Sequence, residues 1–290
     1  DADYSFLGET TLDQAGISVD GAGDVDGDGL DDILIGAHQN DDGGSGAGKT
    51  YLFTGATLSS SATSMVLSEA DYSFIGEASH RSSGEPVSSA GDVDGDGLDD
   101  LLIGAHNNAG KAYLVLGSSL GTTSEIDLSD ADYQFVGEES YDYLGQAAAG
   151  VGDVDGDGLD DILMGAFGAD SSAGRTYLFL GSSLGSDSNI DASEADYIFM
   201  GTAGGDNSGR ATVGPGDING DGLSDLFIGA NGNDDAGSNA GKAYLLLSPT
   251  TCNTPPRGTD ISIDPDDPIE NVDDLVCEID DDAYDAEGDD

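Results

Sequence analysis

Tryptophan is absent from this 290-residue chain, cysteine occurs twice, histidine three times, and lysine and arginine together number seven. Each scarcity excludes something. Against those seven bases stand 59 acidic residues, for a formal net charge of −52. Without clustered cations there is no footprint for nucleic-acid phosphates, and an anionic membrane surface would repel the chain. Two cysteines do not make a disulfide framework; Cys252 and Cys277 either pair in an oxidising compartment or leave Cys277 for another partner. No apolar run approaches the roughly 18 residues a membrane-spanning helix needs. The opening DADYSFLGET has no basic or apolar leader, and it begins in mid-pattern as a processed product would. The 46 glycines follow no three-residue period, which excludes collagen. His38 and His106 hold the same place in successive repeats, so a repeat-position role is expected for them over a unique catalytic one. His80, in ASHRSSGEP, reads as a solvated loop. Carboxylates are too numerous to single out an acid–base pair, and the chain is read as non-enzymatic.

What is present is a repeat. ADYSFLGE at Ala2 returns as ADYSFIGE at Ala70, ADYQFVGE at Ala131 and ADYIFMGT at Ala195. GDVDGDGLDDILIGA returns three times, its first loop acids being Asp24, Asp92, Asp153 and Asp217, spaced by 68, 61 and 64 residues. The first signature has the same spacings, so length varies only downstream of the acidic loop: one rigid segment and one tolerant loop per repeat. A third signature is GKTYLFTG, GKAYLVLG, GRTYLFLG and GKAYLLLS. Its first copy completes GGSGAGKT, Gly43 to Thr50, a letter-for-letter phosphate-loop pattern. The match is read as accidental and no nucleotide is expected. The other copies lose the glycine spacing, Arg175 replaces Lys, and the run after Lys49 is a β-branched and aromatic strand instead of a helix.

Each repeat offers several short apolar runs bounded by Gly, Asp and Ser, and none has a helical period over three turns. Runs such as ILIGA and YLFTG are apolar on both faces, as strands between stacked sheets would be. The fold expected is all-β: a β-propeller of four blades of about 60–68 residues, with blades at about 1–68, 69–129, 130–193 and 194–248.

The acidic loop DVDGDGLDD places carboxylates at positions 1, 3, 5 and 9 with glycine at 4 and 6. Hard cations of calcium size take six to eight oxygens at about 2.3–2.6 Å. Four converging carboxylates would otherwise repel at on the order of 4 kcal/mol per close pair. The expected metal ligands are Asp24, Asp26, Asp28 and Asp32 with the Leu30 carbonyl; Asp92, Asp94, Asp96 and Asp100 with Leu98; Asp153, Asp155, Asp157 and Asp161 with Leu159; and Asp217, Asn219, Asp221 and Asp225 with Leu223. That gives about four Ca²⁺ sites, one per loop, with the Asn219 loop the weakest. Position 12, where an EF-hand carries a bidentate acid on a helix, is Ile35, Ile103, Met164 and Ile228, inside apolar runs. Asp and Gly at polar hairpin turns are the bland alternative, which four copies in one register make poor. Asp31, Asp99 and Asp160 are expected to face water, because Ser224 stands there in the last copy.

These loops, with Phe6-Leu7-Gly8, Phe74-Ile75-Gly76, Phe135-Val136-Gly137 and Phe199-Met200-Gly201, resemble the FG-GAP repeat of integrin α-subunit propellers over roughly residues 1–248. Gly36-Ala37, Gly104-Ala105, Gly165-Ala166 and Gly229-Ala230 match the family's G-A pair, although His38, His106, Phe167 and Asn231 stand where the family has Pro. The resemblance implies Ca²⁺ in hairpin loops on one face and a protein or glycan ligand on the opposite face. It also implies a larger, seven-bladed ring from which blades are missing here. Asp3 to Leu7 would close the last blade or belong to an absent preceding one, the latter being favoured. The function expected is a secreted or cell-surface, calcium-binding adhesion module. A structural spacer and an accessory domain of an extracellular hydrolase are the alternatives.

From Pro249 the composition shifts, five of the seven prolines lying between Pro249 and Pro268. Residues 249–259 read as a linker. Residues 260–290 read either as a disordered acidic tail or as the start of an immunoglobulin-like domain, with DISIDP and DDLVCEID as candidate strands. Fifteen acids are assigned to the loops, and the 44 that remain point to a salty habitat, where screening relieves self-repulsion.

Overall fold

The computed structural model describes residues 2–60, 63–248 and 259–262. β1 (Ser5–Leu7) opens the chain, and β2 (Ser18–Gly23), β3 (Asp32–Ala37) and β4 (Lys49–Phe53) then run up and down as antiparallel neighbours. A connection carrying β5 (Ser64–Val66) leads to β6 (Tyr72–Ile75), which pairs with β4 as the outer strand of that sheet. β7 (Val87–Gly91), β8 (Asp100–Ala105), β9 (Lys111–Val115), β10 (Glu125–Asp127) and β11 (Tyr133–Val136) retrace the path. So do β12 (Ala147–Gly152), β13 (Asp161–Ala166), β14 (Arg175–Phe179), β15 (Asn189–Asp191) and β16 (Tyr197–Met200). The last repeat supplies β17 (Ser208–Gly216), β18 (Asp225–Ala230) and β19 (Lys242–Leu246), and β20 (Thr259–Ser262) follows.

The sheets are offset from the sequence repeats. β6, which opens the second repeat, completes the first sheet, giving the order β2-β3-β4-β6-β10; the next two are β7-β8-β9-β11-β15 and β12-β13-β14-β16-β20. The aspartate of each recurring ADY explains this handover. Asp71 accepts N–H from Thr54 at 2.8 Å, Asp132 from Leu116 at 2.9 Å and Asp196 from Leu180 at 2.9 Å, pinning each incoming outer strand to the end of the sheet it joins. Five-stranded sheets arise because each connection strand also lies parallel on the preceding blade's edge. Phe74 pairs with Ile126, Phe135 with Ile190 and, through β20, Phe199 with Ile261. β20 thus takes on the third sheet the place of β10 and β15 on the first two. It includes part of the expected DISIDP strand, while the rest of the tail, with Cys252 and Cys277, lies outside the described residues.

The cores lie between sheets. Alternate residues of a strand point to opposite faces, and both faces are covered. Leu34, Leu52 and Phe74 meet Leu101, Ile103 and Tyr113 of the next sheet; Leu102, Leu114 and Phe135 meet Ile162, Met164 and Tyr177; Leu163, Leu178 and Phe199 meet Leu226 and Ile228. This is why the strands read as unbroken apolar runs. The inner strands β2, β7, β12 and β17 contact one another in sequence. The fold is therefore four stacked blades of a β-propeller, the first three five-stranded and the last three-stranded among the described residues. β1 pairs with β5 and, among the described residues, not with β19.

Four of the seven bases begin the third strand of their blades. Lys49 holds Asp42 at 2.7 Å and Glu9 at 3.4 Å, with the Tyr51 ring centre 5.2 Å away. Lys111 pairs with Glu77 at 2.7 Å and Arg175 with Glu138 at 2.6 Å. Each Glu follows an outer strand belonging to the preceding position, so these pairs join neighbouring blades.

Candidate metal centre

The four acidic loops join the first and second strands of each blade, all on one face. Their shape is set by their own carboxylates. In the first loop, Asp24 accepts N–H from Asp28 at 3.0 Å and Gly29 at 2.9 Å, while Asp28 accepts from Leu30 at 2.8 Å. The other loops repeat this scheme, with Gly97, Gly158 and Gly222 each donating to Asp92, Asp153 and Asp217 at 2.9 Å. The ninth position has a further task. Asp32, Asp100, Asp161 and Asp225 are fully buried. Their oxygens accept N–H from Val25, Val93, Val154 and Ile218 inside the loop and from Gly55, Gly117, Gly181 and Ser248 at the end of the third strand. Burial pushes the Asp161 carboxyl up to about 8, Asp100 to about 7 and Asp32 to about 6. The two N–H donors oppose the rise and the other loop carboxylates add to it.

Oxygen atoms of Asp24, Asp26 and Asp32 lie within 4.8 Å of one another, as do those of Asp92, Asp94 and Asp96, and of Asp153, Asp155 and Asp161. That separation fits two oxygens held at about 2.3–2.6 Å from one cation, and an all-oxygen donor set suits a hard one. The fourth loop differs: the Asn219 amide donates to Asp221 at 2.9 Å, which engages one ligand with another.

One expectation needs correcting. Asp31 is exposed, but Asp99 and Asp160 are not directed only at water. Asp99 accepts the Asp24 N–H of the preceding loop at 2.8 Å, and Asp160 accepts that of Asp92 at 3.0 Å. Serine at the last copy is no sign of solvation at this position, because the partner of Asp99 and Asp160 is a backbone N–H of the neighbouring loop.

The opposite face carries a cluster that the repeat pattern hid, since only the third copy has it. Phe167 stacks on Tyr143 at 5.0 Å, the Arg210 guanidinium lies 4.2 Å from the Phe167 ring centre, and Tyr141, 68% exposed, stands beside Tyr143. In the sequence only Tyr141 and Tyr143 are local to one another; Phe167 and, in the next repeat, Arg210 join them through folding alone. At the equivalent repeat positions, His38 Nε2 lies 3.6 Å from the Glu85 carboxylate and His106 Nδ1 lies 3.1 Å from the Glu85 carbonyl oxygen.

The FG-GAP repeat pattern matches residues 15–53, 87–115, 145–179 and 209–246, each span running from the first strand of a blade through its acidic loop to the third. These are FG-GAP repeats. The chain is similar to integrin alpha-5 of Xenopus laevis, 29% identical over 178 residues, which cover 58% of this chain and 16% of the relative. Integrin alpha-PS5 of Drosophila melanogaster is 31% identical over 171 residues, again 58% and 16%, and integrin alpha-4 of Xenopus laevis is 30% identical over 160 residues, 52% and 14%. The stretch this chain matches is therefore a small part of each of these relatives.

Proposed function

We propose that this FG-GAP propeller is a non-enzymatic ligand-binding module of a secreted or cell-surface adhesin, with Ca²⁺ clamping its acidic hairpins. The observation that carries the reading is the repeated loop: carboxylates in one register, shaped by the same backbone bonds, converging to cation-binding distances in three copies. Calcium would be held by Asp24, Asp26, Asp28 and Asp32 with the Leu30 carbonyl, and by their counterparts. When bound it neutralises carboxylates that otherwise resist being brought together. The integrin alpha relatives support a role in adhesion, and the Tyr141, Tyr143 and Phe167 cluster, opposite the loops, supports a protein or glycan ligand there.

Calorimetric titration should find about four calcium ions, reduced by about two when Asp26→Ala and Asp94→Ala are combined. Unchanged stoichiometry would remove the site assignment. For the ligand, the protein should bind cells or matrix proteins in a chelator-sensitive manner, and Tyr141→Ala should weaken that binding with no change in thermal unfolding. Absence of any such binding would favour a spacer.

A further inference from the structure

The four loops are not independent. At each junction the eighth residue of one loop grips the first residue of the loop before it. Asp99 takes the Asp24 N–H on its carboxylate at 2.8 Å and gives its own N–H to the Asp24 carbonyl at 3.1 Å. Asp160 does both to Asp92, at 3.0 Å and 3.0 Å. Ser224 keeps the backbone bond to Asp153, at 2.9 Å, but has no carboxylate to offer. The approach is close enough to dictate glycine. A Cβ on Gly23, Gly91 or Gly152, all at φ near +75°, would fall 2.0–2.4 Å from Asp99, Asp160 or Ser224, whereas one on Gly216, which no further acidic loop approaches among the described residues, would meet nothing within 4 Å. Leu98, Leu159 and Leu223 also reach over Gly27, Gly95 and Gly156 of the preceding loop.

We propose that Asp99 and Asp160 are positioning residues that couple adjacent metal loops, so that filling one loop strengthens cation binding in the loop before it. This rests on the calcium reading above. Asp99 is peptide-bonded to Asp100, whose buried carboxylate ties the second loop to its own blade through Val93 and Gly117. A cation drawing Asp100 and its neighbours into place therefore fixes Asp99. Asp99 in turn fixes both backbone polar groups of Asp24, the residue whose carboxylate shapes the first loop. The ordering entropy of the first loop is then partly met before its own cation arrives, and by linkage the effect is reciprocal. The junction to the fourth loop, with serine, couples least.

The test is a calcium titration of the full chain followed by ¹H–¹⁵N NMR at the amides of Gly29, Gly97, Gly158 and Gly222, one reporter per loop. Molar NaCl screens effects of charge at a distance. Asp94→Ala, which disables the second loop, should weaken calcium at Gly29 about fivefold or more, the lower range of measured couplings. Asp99→Ala should do the same with the second loop intact, the double variant should add little to either single one, and Asp99→Asn, which keeps an acceptor, should recover most of the loss. Asp221→Ala, acting across the serine junction, should move Gly158 less. A titration at Gly29 unchanged within twofold by Asp94→Ala, while Gly97 no longer responds, overturns the coupling and leaves the calcium sites standing. Failure of all four glycines to respond overturns both.

Discussion

The third and last blades carry the same repeat signatures and live in different surroundings. Leu163 and Leu178 are sealed between sheets, while Phe227 and Leu245 at the equivalent positions of the last blade are 41% and 45% exposed. Gly152 is pressed by Ser224, and Gly216 meets nothing. At the other end, Val19 is 65% exposed and its second-blade counterpart Val87 is buried. The difference teaches that burial in this fold belongs to the junction and not to the repeat: a blade's apolar faces are covered only by its neighbours.

The comparison can be broken most directly by removing metal. Chelation should lower the melting temperature by roughly ten degrees or more, calcium should restore it, and the three aspartate-rich loops should release the ion later than the Asn219 loop. Equal release from all four would show that the last loop is no weaker than the others. Next in size, Leu163→Ala should cost about 2–5 kcal/mol in urea unfolding and Phe227→Ala about 1 kcal/mol or less, because only the first opens a cavity between sheets. Similar costs would mean that something covers the last face in solution.

A third contrast uses pH. The raised carboxyls of Asp161, Asp100 and Asp32 are protonated in the metal-free fold at pH values where the unfolded chain has ionised them. Their contribution is therefore lost from the metal-free protein as pH climbs from the ordinary carboxylate range through about 6 to 8. Under the calcium proposal the ion would displace those protons, so its affinity and its stabilising effect should rise from pH 5 to pH 8.5. A flat profile would mean that the buried position does not serve the ion. The smallest effect expected is in the ion pairs. Lys111→Ala, at a pair mostly shielded between blades, should cost about 1 kcal/mol, and Lys242→Ala, beside the largely exposed Asp235, about half that or less.

Much of this was legible in the chain. A fixed offset between the ADY and acidic signatures announced a repeat, the two-sided apolar runs announced stacked sheets, and the loop spacing singled out Asp24, Asp26 and Asp32, whose oxygens come within 4.8 Å of one another, while Asp28 lies outside that group. The phosphate-loop pattern dissolved on reading its copies, and Lys49 begins a strand and pairs with Asp42 and Glu9. Less legible was anything that needed a second repeat in space. Asp99 looked solvated because its partner, the Asp24 N–H, lies 75 residues away. The handover of outer strands, and the seating of Thr259–Ser262 on the third sheet, came from pairing across blades. The aromatic cluster was missed because it breaks the repeat that organised the reading.

The sequence by itself determined the unit: strands apolar on both faces, a loop whose alternate carboxylates and glycines admit one shape, and turns that recur in register. Those are local consequences of side-chain alternation, backbone freedom and charge. Only the tertiary structure decided which strand completes which sheet, which copies of a residue are buried, and which aspartate grips its neighbour's loop. The reason is physical: hydrogen bonds and apolar contacts between blades form according to who stands next to whom, and identical units in a stack do not have identical neighbours.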